Sequence, residues 1–342
     1  MKKSIISLAI AAGMAASGAA MAGDSTVYGN VHLSLNAADN DVPNADNNLQ
    51  MTSNTSSIGV KGSEDLGDGM KAIYKIELQV ALLGGPDTTP DTGAPNIGSG
   101  ALTGRDQFVG LQGGMGTVKF GTLSSNYKQM GGKVDPMYRT PLEGRGFLKT
   151  HSNLHGGRDI NRGRMTNAVQ YDSPKMGGIQ AVVNTTFSGS GEETMGLGVR
   201  YNTKNILVYL DWIDSQVGNA AAACTGTTAP GTCLTEAATK IGGKFDGDGF
   251  SVAAQFESAE DRTGNDYTFL AGTFDIDKNN MIALTYGIAA AKAANSDTDG
   301  VAVMFDHKMS KQTNVYVGYG AKGSDVANND ESMLTAGIRK KF

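Results

Sequence analysis

A period of two runs through this chain and constrains it more than any other feature. In MKAIYKIELQV, Ala72, Tyr74, Ile76, Leu78 and Val80 fall on one side of an extended strand, and Lys71, Lys75, Glu77 and Gln79 on the other. In NILVYLDW, Ile206, Val208, Leu210 and Trp212 oppose Asn205, Tyr209 and Asp211, and in GFSVAAQFE, Phe250, Val252, Ala254 and Phe256 oppose Ser251, Gln255 and Glu257. Each such window has one apolar and one wet face, the signature of a half-buried β-strand.

About sixteen such windows recur, each roughly 8 to 12 residues long, the length of a tilted membrane strand. They run approximately 25–36, 54–63, 70–82, 103–112, 117–123, 164–173, 178–188, 193–202, 205–214, 236–246, 249–259, 264–275, 280–290, 299–308, 312–321 and 332–342. Lipid offers backbone groups no water, so a sheet spans a bilayer only when it closes on itself. An even number of alternating strands fits that closure. The mean hydropathy of −0.24 agrees, because only every second residue of a barrel strand needs to be apolar.

The connections alternate in length. Short turns such as EDLGDG, QGGMG, SPKMGG, NTKN, DGDG and DIDKNN interleave with longer loops at 37–53, 83–102, 124–163 and 215–235. Barrels in bacterial outer membranes keep short turns on the periplasmic side and long loops outside. The expected fold is therefore all-β, a transmembrane antiparallel barrel of about 16 strands. Aromatics near strand ends, Tyr28, Tyr74, Tyr171, Tyr201, Trp212 and Phe342, are candidates for interfacial girdles.

The first 22 residues, MKKSIISLAIAAGMAASGAAMA, pair Lys2 and Lys3 with a short apolar run and a small-residue ending. They read as a secretory signal peptide, leaving a mature barrel at 23–342. With those two lysines gone, the formal charge moves from −5 to −7, which argues against a nucleic-acid partner. Cys224 and Cys233 lie in a Gly/Thr/Ala/Pro stretch. In an exported protein they are expected to form a local disulfide.

Four segments resemble the general bacterial porins: SSIGVKGSEDLGDGMKAIYKIE at 56–77, GRDQFVGLQGGMGTVKFG at 104–121, GRMTNAVQYDSPKMGG at 163–178, and the terminal Phe342. With the intervening strands the resemblance spans essentially the whole mature chain. It implies a sixteen-stranded outer-membrane barrel, usually a homotrimer, through which ions and small hydrophilic solutes diffuse. It also implies that the third loop, here 124–163, folds into the pore, and that Phe342 is the signal read by the outer-membrane assembly machinery. Outer-membrane lipid and lipopolysaccharide are then further partners.

By motif, Lys61, Arg105 and Arg164 match the family's basic wall, and alternation adds Lys75, Arg200 and Lys240 to the wet face. Parity sets Lys61 opposite Ile58 and Val60, and Arg105 opposite Phe108. On the loop, VDPMYRTPLEGRGFLK carries Asp135, Arg139, Glu143 and Arg145, with Glu143 the best acidic match. Ser57 stands where many relatives have another arginine, which thins the basic wall. Opposed charges across a pore create a transverse field that biases ion flow; the same residues have a second reading as ion pairs tying loop to wall.

His151 and His155 have metal-ligand spacing but sit beside two glycines in HSNLHGGRD, and read as a polar loop. No nucleophile elbow or phosphate-binding loop occurs, so no enzyme activity, cofactor or metal is expected. Two alternatives to a diffusion pore stay open: a substrate-specific channel, and a barrel acting mainly as an adhesin or binding protein.

Overall fold

The computed structural model describes residues 23–41, 49–83, 102–156, 163–187, 193–215, 237–327 and 329–342. Residues 1–22, read above as a signal peptide, Cys224 and Cys233 with their expected disulfide, and most of the 83–102 and 215–235 loops lie outside the described residues.

One antiparallel sheet holds every strand. The strands are β1 (Asp24–Asn40), β2 (Leu49–Ser53), β3 (Ser57–Gly67), β4 (Met70–Val80), β5 (Leu102–Gly113), β6 (Gly116–Ser124), β7 (Arg164–Asp172), β8 (Ile179–Thr186) and β9 (Thr194–Asn202). They continue as β10 (Ile206–Ser215), β11 (Ala238–Asp246), β12 (Phe250–Ser258), β13 (Asn265–Asp275), β14 (Asn280–Ala291), β15 (Thr298–Lys308), β16 (Thr313–Ser324) and β17 (Glu331–Lys341). β2 and β3 both pair with β1, from β3 onward each strand pairs with the next in sequence, and β17 pairs with β1 from Asn30↔Lys341 to Asn40↔Glu331, closing the barrel.

Seventeen segments make sixteen staves, because β2 and β3 share one edge of β1. β2 pairs with Leu33–Ala37 and β3 with Asp24–Asn30. Between them Thr55 takes a left-handed backbone (φ 53°), and the Ser56 hydroxyl accepts from the His32 N–H at 2.9 Å. The 37–53 stretch, expected as a loop, is therefore partly sheet: β1 runs on to Asn40, and Leu49–Ser53 returns along it.

Side chains sort as the alternation requires. Ile76, Val208, Leu210, Val252 and Phe256 are exposed on the outside, whereas Glu77, Gln79, Tyr209, Asp211, Gln255 and Glu257 are buried inside. No helix of the described residues is long and apolar enough to cross a membrane; the strands carry the lipid-facing surface. Of the girdle candidates, Tyr171, Tyr201 and Phe342 are exposed. Tyr28 is a correction: its hydroxyl turns inward and donates to Glu77 Oε2 at 2.7 Å.

Candidate constriction site

The connection between β6 and β7 enters the barrel along its described residues 125–156. It opens with a nine-residue helix, α1 (Asn126–Val134), where an irregular loop was expected. Ser125 caps it, its hydroxyl accepting from the Lys128 N–H at 3.1 Å. Gly131 and Gly132 weaken the helical signal in the sequence, so α1 depends on its seat rather than on propensity.

That seat is built residue by residue. Asn126 Nδ2 donates to Leu197 O (2.6 Å), Asp211 Oδ1 (3.0 Å) and Trp212 O (3.1 Å). Gly196 of β9 makes room for it, since a Cβ there would lie 2.2 Å from Asn126 Oδ1. Further along, Leu142 packs over Gly318 and Gly320, Leu148 over Gly300, and Thr150 over Gly287. Inward positions that lack a side chain thus form a track for the loop along β14–β16. Met137, Leu142 and Leu148, all fully buried, complete that contact with Ala283, Ala302, Met304 and Tyr316.

Under α1 lies a sealed polar cluster. Glu257 accepts from Tyr127 Oη (3.0 Å), Gln255 Nε2 (3.0 Å) and the Ser152 hydroxyl, and meets His155 Nε2 at 3.3 Å. Lys240 donates to Tyr127 O, stands 4.0 Å from the Tyr127 ring centroid, and lies 3.8 Å from Asp211 Oδ2. His151 and His155, expected in a polar loop, are buried in this polar cluster, with the His151 ring 4.1 Å from that of Phe269. Lys240, a wet-face candidate, is sealed with them.

Opposite the loop, a bulge concentrates charge. Ile76 pairs with Gln107 and Leu78 with Gly104, so Glu77 alone faces both Arg105 and Asp106. Such a bulge brings two successive side chains to one face. Strict alternation placed Phe108 on the outer face; past the bulge it turns inward and packs against Leu123, Met165 and Ala168. Arg105 Nε contacts Glu77 Oε1 at 2.6 Å, Lys75 lies 3.1 Å from Glu77 and 3.4 Å from Asp106, and Arg164 Nε contacts Asp106 Oδ1 at 2.8 Å. These groups and the loop enclose a cavity of about 500 Å³, also lined by Lys128, Lys133, Arg139 and Arg200.

The loop acids sit elsewhere. Glu143 is 1% exposed and accepts from the Arg139 N–H (2.8 Å) and Arg145 Nη2 (2.7 Å). Asp135, also buried, accepts from the Met137 and Gly144 N–H groups. They shape the loop from within, and these bonds join loop to loop rather than loop to wall. Lys61 is exposed, its Nζ 5.2 Å from the Tyr28 ring, and Ser57 accepts from Asn30 Nδ2. Phe342 exchanges two backbone hydrogen bonds with Gly29, extending the closing seam. Sequence reasoning missed Asp106, hidden by the bulge, and Lys128 and Lys133, hidden by the helix.

Two loop groups make the seat sensitive to pH. Burial pushes the Asp135 carboxyl up to about 7 from its ordinary 3.8, against the two backbone donors. Its contribution to stability is complete in acid and is lost as pH rises through about 7. Burial, against the pull of Glu257, lowers the His155 imidazole to about 4 from 6.5. That contribution is lost as pH falls from about 6.5 through 4. Because the two losses run in opposite directions over nearly the same window, closure events in single-channel records should vary little in the parent between about pH 4 and 7, whereas Asp135→Asn, which removes the loss that grows towards about pH 7, should leave closures rising as pH falls from about 6.5 towards 4. Closures in Asp135→Asn that stay constant across that fall would contradict this.

An apolar exterior, a closed sheet and a charged lumen narrowed by an inward loop define a channel-forming outer-membrane barrel. The Gram-negative porin family model matches residues 8–327, and the chain belongs to that family. It is 27% identical to the major outer membrane protein P.IB of Neisseria lactamica, with 100% of both chains covered. Identity to an outer membrane porin protein of Bordetella pertussis is 24%, again over 100% of both. Among solved structures, the anion-selective porin from Comamonas acidovorans superposes with a TM-score of 0.73 at 18% identity, covering 94% of this chain and 100% of that one. A trimer form of Vibrio cholerae OmpT gives 0.62 at 16% identity, covering 94% and 100%. The protein is thus an outer-membrane porin, a water-filled path for passive diffusion of ions and small hydrophilic solutes.

Proposed function

We propose that this porin favours anions and that the cavity beside the bulge sets the preference. The observation that carries this is the charge count: Lys75, Arg105, Lys128, Lys133, Arg139, Arg164 and Arg200 line the cavity against Glu77 and Asp106 alone. Each of those acids is already shared between two bases. A surplus of fixed positive charge in a narrow lumen attracts anions and excludes cations. The anion selectivity of the Comamonas porin supports the same reading. Lys61 adds to the wall from the short-turn side, whereas Asp135, Glu143 and Arg145 act by holding the loop.

The reversal potential across a KCl gradient, measured on reconstituted protein, tests this. It should carry the sign of chloride permeation, and Arg164→Gln should reduce the anion-to-cation permeability ratio on the order of fivefold, the equivalent of about 1 kcal/mol for one charge at close range in water. A cation sign in the parent protein would overturn the proposal. We further infer that the chain assembles as a homotrimer, as the Vibrio relative does, and that Phe342 serves as its assembly signal.

A further inference from the structure

The lumen holds a second concentration of positive charge, away from the bulge. Arg339 and Lys341 stand on β17 near its end at the short turns, where Lys340 pairs with Thr313 just past the 309–312 turn. Arg339 pairs across the closing seam with His32, whose Nε2 is 2.8 Å from Tyr316 Oη and whose side chain is fully buried. From the loop, Arg139 comes close enough to act electrostatically on both Arg339 and Lys341.

Three observations point to an anion-binding site. Arg139 Nε, Arg339 Nε and His32 Nδ1 are all buried without a hydrogen-bond partner. Neither arginine has an ion-pair partner among the described residues. The acid within reach of Arg339 and Lys341 is Asp306, which is engaged by Asn314 Nδ2 and lies in the field of Lys308. Three cations against that one carboxylate leave two positive charges uncompensated. Arg139 also holds a left-handed backbone (φ 67°), fixed by the bond from its N–H to Glu143. Strain of that kind persists where surrounding structure imposes it, as at ligand sites.

We propose that Arg139, Arg339 and Lys341 form a second anion station, on the short-turn side of the constriction, for solutes that carry a doubly charged oxyanion such as a phosphate group. The guanidinium forks offer the paired donors such a group takes, and two surplus charges match a dianion better than chloride. Arg139 lines both the cavity beside the bulge and this station, so an anion leaving the first is handed to the second. This deepens the anion preference proposed above and rests on it.

The test is block of chloride current by inorganic phosphate, recorded on the reconstituted full-length porin. Phosphate should reduce the current saturably, at lower concentration from the short-turn side. Arg339→Gln should raise the half-blocking concentration about tenfold, the loss expected on removing a charged, forked donor. Arg339→Lys, which keeps the charge but not the fork, should fall between. Heat-shifted gel mobility confirms that each variant is folded. Absence of saturable block in the parent, or an unchanged half-blocking concentration in Arg339→Gln, overturns the station. The reversal potential in KCl alone reports the general preference, so its failure is read separately.

Discussion

Replacing both Leu142 and Leu148 by alanine should release the constriction loop from the wall, raise single-channel conductance severalfold and admit larger solutes. Both side chains are fully buried between the loop and β14–β16, and truncating a buried leucine typically costs about 2–5 kcal/mol. The barrel's own hydrogen-bond ladder does not involve either residue, so the strands remain closed while the loop lets go. Planar-bilayer recording gives the conductance, and liposome swelling with sugars of increasing size gives the cut-off. Unchanged conductance and cut-off in a folded double variant would show that the hydrophobic track does not hold the loop.

Glu257→Ala should destabilise the loop seat by about 3–5 kcal/mol, the usual consequence of leaving a buried charge without its partner. Tyr127, Ser152, His155 and Gln255 all converge on that carboxylate, and Lys240 is confined among them by Tyr127 and Asp211. The signature is protease cleavage within 124–163 under conditions where the parent is resistant, with a lower temperature for the gel mobility shift. Lys240 keeps Asp211 as its partner in Glu257→Ala, so adding Lys240→Met should deepen the loss by leaving that carboxylate unpaired, and double-mutant analysis isolates the coupling between the two sites. Resistance equal to the parent in Glu257→Ala alone would mean the cluster is not what seats the helix.

Most of the barrel was legible because a lipid-facing strand writes itself into the sequence. Every second residue must be apolar, and turn glycines punctuate the rest, so the window at 205–214 and the strand Ile206–Ser215 nearly coincide. Where that rule relaxes, legibility ends. The Leu49–Ser53 strand is too short and polar at its end to show a period. The bulge opposite Glu77 shifted the parity by one, hiding Asp106 and misplacing Phe108. Inside the lumen no periodicity applies, so α1 and the burial of His151 and His155 depend on tertiary contacts that sequence spacing does not encode. Arg339 shows the same limit: it turns inward beside the exposed Ile338, yet only the approach of Arg139 from the loop gives that position meaning.

The track of Gly287, Gly300, Gly318 and Gly320 has a consequence for the calibre of the channel. The loop's distance from the far wall is set by how deeply it sinks into the side on which it lies, and that depth is set by four absent β-carbons. A methyl group at any of them would lift the loop towards the axis without altering one residue that faces the permeating solute. The track on β14–β16 therefore sets the bore, the wall charges stand apart from it on β4, β5, β7 and β9, and the loop that carries Lys128, Lys133 and Arg139 links the two.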